Sequence, residues 1–142
     1  MNDYIAVSDG AFSFSRNVGA VGIIVIKNND IILEYSRKIV GGTNNVAEIS
    51  GIILILKMIK KPIDSLLIVS DSKIALECGF GTWKRKTNLK LWEEFDKEYN
   101  RVKQLCPKIE YKHIKGHQKD DSDFTKWNNI CDKLAVCASQ SI

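Results

Sequence analysis

Four carboxylates in this chain stand within or directly after apolar segments, where an acid is costly to desolvate. Asp9 and Asp71 each follow an apolar run, while Glu48 and Asp132 interrupt apolar stretches of helical pattern. No matching buried Lys or Arg is evident to compensate them, whereas a divalent metal ion binds such oxygens readily. The four acids, distant in sequence, therefore indicate a site for a divalent metal ion.

The length and composition indicate one compact domain, which we place at residues 1–142. A hydrophobic fraction of 44% and a charged fraction of 27% are those of an ordinary globular protein. The net charge of +4 is compatible with a polyanionic partner but does not identify one.

The N-terminus and the cysteines bear on the compartment. Met1 is followed by Asn2 and Asp3 rather than by a basic and then long apolar segment, so no signal peptide is predicted. The longest apolar run, residues 52–56, is too short to span a bilayer. The four cysteines lack Cys-x-x-Cys pairing, which indicates reduced thiols, and no four-ligand zinc cluster is apparent with only two histidines. We therefore expect a cytoplasmic protein without membrane contact, and we expect it to be a monomer.

Hydrophobic periodicity predicts nine elements of secondary structure. Strands are predicted at residues 4–8, 20–27, 31–38, 66–70 and 109–114, and helices at 44–60, 72–78, 88–105 and 124–139. The first three strands form an antiparallel meander, and right-handed crossovers make the last two parallel to the first. Ligands of such α/β sheets gather beyond the carboxyl ends of the parallel strands. Because Asp9 and Asp71 end two neighbouring strands, we expect their side chains to meet.

Five motifs resemble, in order and spacing, those of the ribonuclease H type 1 family, over about residues 3–138. They are Asp9-Gly10-Ala11, Thr43-Asn44-Asn45-Val46-Ala47-Glu48, Ser70-Asp71-Ser72, Lys115-Gly116-His117 and Asn128-Asn129-Ile130-Cys131-Asp132-Lys133-Leu134-Ala135. Each motif alone is weak, but five in the family's order are specific. The resemblance implies an α/β ribonuclease H-like fold, with a five-stranded mixed sheet of order 3-2-1-4-5 and helices on both faces.

The resemblance also implies an activity. It predicts an endonuclease that hydrolyses the RNA strand of RNA:DNA hybrids with two Mg²⁺ ions, or with Mn²⁺ as the alternative, leaving 3′-hydroxyl and 5′-phosphate ends. Three alternatives stay open: a junction resolvase, a released reverse-transcriptase fragment, and a catalytically silent nucleic-acid-binding module. A silent module has little use for four carboxylates facing phosphate.

By the same resemblance, the four acids hold the metal ions. Asp9 bridges the two ions, Glu48 and Asp71 share one side, and Asp132 completes the other. His117 lies in a polar loop and acts as a proton shuttle or assists product release, for which its ordinary pKa is suitable. Taken singly, each acid also has an ordinary explanation as a turn, cap, helix-dipole or surface residue. The order of all four acids along the chain favours the catalytic interpretation over these separate structural roles.

Further residues are candidates for substrate contacts. The 2′-hydroxyl distinguishes RNA from DNA, and groups near the acids can read it. The candidates are Gly10, Thr43, Asn44, Asn45, Ser72 and Asn88, of which Thr43 and Asn88 match the family's phosphate pocket for the DNA strand. Helix capping is the alternative role for Thr43 and Asn88. Many bacterial members carry an extra helix and a basic loop that binds the hybrid, which we call the basic handle. In this chain the handle is shortened to Lys84-Arg85-Lys86, which either contacts phosphate or forms a solvated turn.

Overall fold

The computed structural model describes residues 3–13, 15–40, 43–116, 120 and 122–140. All nine predicted elements are present in the predicted order. They are β1 (Asp3–Ser13), β2 (Val18–Lys27), β3 (Asp30–Val40), α1 (Asn44–Met58), β4 (Ser65–Ser70), α2 (Lys73–Gly79), α3 (Leu89–Lys103), β5 (Lys108–His113) and α4 (Asp123–Gln140).

The five strands form one mixed sheet of order β3-β2-β1-β4-β5, which confirms the predicted topology. β1 pairs antiparallel with β2, and β2 pairs antiparallel with β3. β1 pairs in parallel with β4, and β4 pairs in parallel with β5. The parallel pairs follow the crossovers through helices, as such connections require.

Helices cover both faces of the sheet, and each face has its own core. α1, α2 and α3 pack on one face around side chains such as Ile52, Leu56 and Phe95. α4 packs on the other face, where Trp127 and Cys131 join the strand residues. A side chain at Gly22 of β2 would overlap the α4 main chain at Cys131, so this glycine allows the helix to lie close to the sheet. We name the two sides the α1 face and the α4 face.

β1 extends further than its apolar pattern predicted. The strand runs through Gly10 to Ser13, so Asp9 lies inside β1 and does not end it. The expectation that Asp9 terminates a strand was therefore wrong in detail. The parallel pairing with β4 nevertheless stops at the pair of Ser8 and Ser70, while pairing with β2 continues. Asp9 and Asp71 are thus the first residues beyond the parallel ladder, which is the position that matters for the site.

The cysteines and helices complete the description. Cys78, Cys106, Cys131 and Cys137 are free thiols. Within the part of the chain that the structure describes, no helix combines the length and the apolar character needed to cross a lipid bilayer.

Candidate active site

Three of the four predicted acids meet at one point. Asp9 comes from the middle of β1, Glu48 from the second turn of α1, and Asp71 from the residue after β4. One carboxylate oxygen of each lies within 4.8 Å of the others. The meeting of Asp9 and Asp71 follows from the pairing of β1 with β4. Glu48 joins them because α1 begins at the same edge of the sheet and crosses β1.

Burial and mutual repulsion perturb this cluster strongly. Asp9 is 2% exposed and Glu48 is 6% exposed. Burial, then the charges of Asp71, Glu48 and Asp132, raise the pKa of Asp9 from 3.8 to about 9, and a side-chain hydrogen bond with Asp71 adds to the shift. Burial and the charge of Asp71 raise the pKa of Glu48 from 4.5 to about 8, against a hydrogen bond from Gly10. The acids therefore hold protons in the absence of a compensating positive charge.

Gly10 places Glu48 in the cluster. The Gly10 main-chain N–H donates a 3.1 Å hydrogen bond to Glu48 Oε1. A Cβ at position 10 would stand 3.0 Å from that oxygen and 3.2 Å from the Ala47 Cβ, so a larger residue would push α1 away from the strand. The sequence predicted a substrate contact through this residue, whereas the structure shows its N–H engaged by Glu48.

Hydrogen bonds from β5 and the residue after it fix the turn that carries Asp71. The Ile114 N–H donates to the Ser70 carbonyl at 3.0 Å, and His113 Nε2–H donates to the Asp71 carbonyl at 3.1 Å. A side chain on Gly116 would overlap Asp71 Oδ2, so the loop after β5 packs its main chain against this carboxylate. The sequence singled out neither His113 nor Gly116 for these contacts. The signal that could have found both is the parallel register, which pairs Ser70 with His113.

The other two predicted catalytic residues, Asp132 and His117, are not part of the three-acid group. Asp132 lies on α4, which packs against β1 and β2. It stands outside the three-acid group, yet near enough for its charge to raise the pKa of Asp9. His117 lies outside the described residues, so its role stays a prediction from the sequence.

The substrate candidates divide between helix caps and exposed positions. Thr43 Oγ1 accepts a 3.3 Å hydrogen bond from the Val46 N–H and so caps α1. Ser72 Oγ accepts one of 3.2 Å from the Ala75 N–H and caps α2. Asn44 and Asn45 are exposed in the first turn of α1, one turn before Glu48.

Asn88 precedes α3 but does not cap it with its side chain. Its backbone is left-handed, with φ of 57°, and no side-chain hydrogen bond satisfies the helix N-terminus. Asn tolerates this conformation better than most residues. The capping alternative therefore fails for Asn88 and holds for Thr43.

Arg85 in the shortened handle is a structural anchor. Its guanidinium makes two hydrogen bonds with Asp96, at 2.7 and 2.8 Å, and a third with the Cys78 carbonyl at 2.8 Å. It also lies over the ring of Trp92, 4.8 Å from the centroid. Neither alternative for Arg85 was right, because it packs inward. Only Lys84 and Lys86 of this segment are exposed.

The cluster suits a hard divalent cation. Its donors are carboxylate oxygens alone, which magnesium and manganese favour and structural zinc sites generally do not. Asp9 Oδ2 and Glu48 Oε2 are buried and make no hydrogen bond. Such buried acceptors are costly, and a cation would satisfy both of them while keeping the acids ionised.

Comparisons with known proteins identify the family. The family model described as RNase H matches residues 1–140. A ribonuclease H of Acetivibrio thermocellus is 30% identical over 91% of this chain and 89% of its own length. Among solved structures, the N-terminal RNase H domain of a Mycobacterium tuberculosis protein aligns with a TM-score of 0.76 at 23% identity, covering 98% of this chain and 94% of that one. LC11-RNase H1, solved in complex with an RNA/DNA hybrid, aligns with a TM-score of 0.74 at 21% identity over 95% of each chain. The chain belongs to the RNase H family.

Proposed function

We propose that this protein is an endonuclease that hydrolyses the RNA strand of RNA:DNA hybrids and leaves 3′-hydroxyl and 5′-phosphate ends. The observation that carries the proposal is the cluster of Asp9, Glu48 and Asp71, with two buried oxygens that have no hydrogen-bond partner among the described residues. Membership of the RNase H family supplies the substrate class. The relative solved with an RNA/DNA hybrid has the same fold, and this supports a hybrid as the ligand.

Asp9, Glu48, Asp71 and Asp132 would hold two divalent cations, for which we propose Mg²⁺ with Mn²⁺ as the alternative. Cations bound in this way stabilise the attacking and the leaving oxygen of an in-line displacement at phosphorus. The protein fixes the acids in advance: Gly10 orients Glu48 by its N–H, and the β5 side of the sheet orients Asp71. Preorganised charge of this kind is worth more than charge that must be arranged during the reaction.

His117 is proposed to move a proton at the departing oxygen or to assist product release. The loop that carries it follows Gly116, whose main chain packs against Asp71. Gly116 itself lies beside the acid cluster, and this supports a role in the same site for the residue that follows it in the sequence. General acid-base help by a positioned histidine contributes roughly a hundredfold or more.

Thr43, Asn44, Asn45, Ser72 and Asn88 are proposed to contact the hybrid. Thr43, Asn44 and Asn45 lie at the N-terminus of α1, where main-chain N–H groups favour phosphate. Asn88 has a side chain that no helix cap uses and whose amide donates a long, 3.5 Å hydrogen bond to Thr87 Oγ1, so the amide can turn to a DNA-strand phosphate. Phosphate contacts of this kind set the register of the duplex on the protein.

A strand-resolved cleavage assay tests the function. End-labelled RNA:DNA, RNA:RNA and DNA:DNA duplexes are incubated with the protein in Mg²⁺ and in chelator. We expect Mg²⁺-dependent cleavage of the RNA strand in the hybrid alone. Comparable cleavage of double-stranded DNA would point to a resolvase-like nuclease, and hybrid binding without cleavage would point to the silent module.

Metal binding can be tested separately from activity. Titration calorimetry with Mg²⁺ compares the wild-type protein with Asp9→Asn, and with Glu93→Gln as a control for loss of an exposed acid on α3. We expect the wild-type protein and Glu93→Gln to bind Mg²⁺ alike and Asp9→Asn to bind it much more weakly. Equal binding by all three would place the metal elsewhere.

A further inference from the structure

The outer edge of β3 is exposed and apolar. β3 is the last strand on its side of the sheet, and within the described residues it pairs with β2 alone. Ile31, Ile32 and Leu33 are 38%, 54% and 39% exposed. A long edge with unpaired main-chain groups and apolar side chains is a template for a further strand. Asp30–Val40 contains no proline that would block such pairing.

The side chains of β3 alternate regularly between the two faces of the sheet. A β-bulge opposite the step from Val25 to Ile26 leaves Ile32 unpaired, and from Leu33 onward the register is continuous. Leu33 lies opposite Val25, which packs on the α1 face, and Glu34 lies opposite Ile24, which packs on the α4 face. Odd-numbered residues from 33 to 39 therefore point to the α1 face and even-numbered residues to the α4 face.

Residues 33–39 are complementary to themselves when two copies run antiparallel. With Ser36 at the centre, residues equally far from it face each other on the same side of the sheet. The resulting pairs are Leu33 with Ile39, Glu34 with Lys38, Tyr35 with Arg37, and Ser36 with itself. These are an apolar pair, an ion pair, an aromatic-cation pair and a hydroxyl pair, and all are favourable across strands.

The register is selective. Centring the pair on Tyr35 would place Leu33 opposite Arg37 and Glu34 opposite Ser36, which removes both the apolar and the ionic pairs. A shift by a single residue would pair a residue of the α1 face in one copy with a residue of the α4 face in the other. One sheet would then have to be turned over relative to its neighbour. Centring the pair on Glu34 would place the two Glu34 carboxylates against each other, so of these three registers the one centred on Ser36 matches opposite charges and apolar residues without a like-charge pair.

We propose that β3 pairs with β3 of a second copy of this chain in an isologous dimer, with Ser36 on the two-fold axis. The contact joins two five-stranded sheets into one continuous sheet. The Ser36 pair lies on the axis and occurs once, and each of the other three pairs occurs twice, as two-fold symmetry requires. An apolar groove of about 380 Å³, lined by Leu33, Val25 and Met58 among others, opens beside this edge on the α1 face. Ile39 of the second copy extends the wall of that groove.

The dimer leaves both acid clusters accessible. β1 and β3 are each antiparallel to β2, so they run in the same direction. The acids lie where the β1–β4 ladder ends, which is the end of the sheet toward which β1 and β3 both run. A two-fold axis perpendicular to the sheet therefore places the two clusters at opposite ends of the joined sheet. This arrangement replaces the monomer expected from sequence.

Sedimentation velocity with charge-swap variants tests the contact. The full-length chain is measured from micromolar to near-millimolar concentration as wild type, Glu34→Lys, Lys38→Glu and the double variant. We expect a wild-type dimer, at least about a tenfold rise in the dissociation constant of each single variant, and recovery in the double variant, because each single change creates two like-charge pairs at once. Glu93→Lys makes the same charge change on α3 and should leave the dimer unaffected.

A disulfide at the symmetry axis tests the register. In a Cys137→Ser background, which removes the exposed cysteine, Ser36→Cys should form a disulfide-linked dimer under mild oxidation. Directly opposed residues stand about 4.5–5.5 Å apart at Cα, within disulfide range. Glu34→Cys is the matched control, because its two copies would lie roughly 13 Å apart along the strands. Circular dichroism confirms that each variant is folded.

The outcomes decide the proposal. A wild-type chain that stays monomeric up to near-millimolar concentration overturns it. So does a dimer whose dissociation constant is the same in both single variants, since that dimer uses another surface. Cross-linking of Glu34→Cys in preference to Ser36→Cys overturns the register and with it the pairing.

Discussion

Replacing Asp9 by Asn should stabilise the metal-free protein, because the fold buries this carboxyl among other acids. The pKa of Asp9 rises from 3.8 to about 9 in the folded protein. At pH 7 the unfolded chain ionises this group freely, while the folded chain must keep it protonated. The cost is about 1.4 kcal/mol for each pH unit above 3.8, or roughly 4 kcal/mol at neutral pH. Since Asn is itself a buried polar group, we expect Asp9→Asn to gain about 2–4 kcal/mol, equivalent to a thermal shift on the order of 10 °C.

The pH dependence has a definite sign. A folded pKa above the unfolded value gives stability that is fully present below about pH 3.8 and is lost as the pH rises toward about 9. Glu48, whose pKa is raised from 4.5 to about 8, acts in the same direction. In chelator, the wild-type protein should therefore lose stability from about pH 5 to about pH 9, and the Asp9→Asn variant should lose less.

Urea unfolding across this pH range measures the effect. The wild-type protein, Asp9→Asn and the exposed-acid control Glu93→Gln are compared in chelator and then in saturating Mg²⁺. Mg²⁺ should stabilise the wild-type protein and Glu93→Gln more than Asp9→Asn, because a ligand stabilises the form that binds it. The reasoning is refuted if Asp9→Asn is less stable than the wild-type protein at alkaline pH in chelator, or if the two pH slopes coincide.

Four further predictions concern the site and the turn before α3. Asp71→Asn should keep hybrid binding but lose more than roughly nine-tenths of turnover at saturating Mg²⁺, and a retained rate would contradict its role. Gly116→Ala should lower turnover and weaken Mg²⁺ binding by calorimetry, because the added methyl overlaps the Asp71 carboxylate; wild-type values for both would show that the loop adjusts freely. Steady-state kinetics should show that His117→Ala mainly lowers kcat, roughly a hundredfold or more, while Asn88→Ala mainly raises KM; the reverse pattern would exchange their roles. Arg85→Met should destabilise the protein by about 1–2 kcal/mol in urea unfolding, and no change would contradict its anchoring role.

The elements of this fold could be predicted from the sequence because their signals are local. Apolar periodicity located the five strands and four helices of the described residues, the crossover rule predicted the parallel strands, and the family resemblance implied the sheet order. The order of the motifs identified the family, which the family model confirms. Asp9, Glu48 and Asp71 were recognisable because acids in apolar segments violate the local pattern.

The length of β1 and the contacts of Arg85 and Gly116 depend on segments that are distant in the sequence. β1 continues past Asp9 because β2 supplies hydrogen bonds to residues that lack an apolar pattern of their own. The sequence predicts either a phosphate contact or a solvated turn for Arg85, because its partners at Cys78 and Asp96 become neighbours only when α2 and α3 pack. Gly116 gave no local sign of its contact with Asp71, since the strands that bring them together are far apart in the chain.

The sequence by itself determined which segments become strands and helices and which acids are candidates for a metal site, since both depend on the pattern of neighbouring residues. Tertiary structure alone decided how strongly those acids repel each other, which main-chain groups hold them, and how exposed the apolar side chains at the β3 edge are. Burial and distance set these properties, and neither exists until residues remote in the chain are packed together.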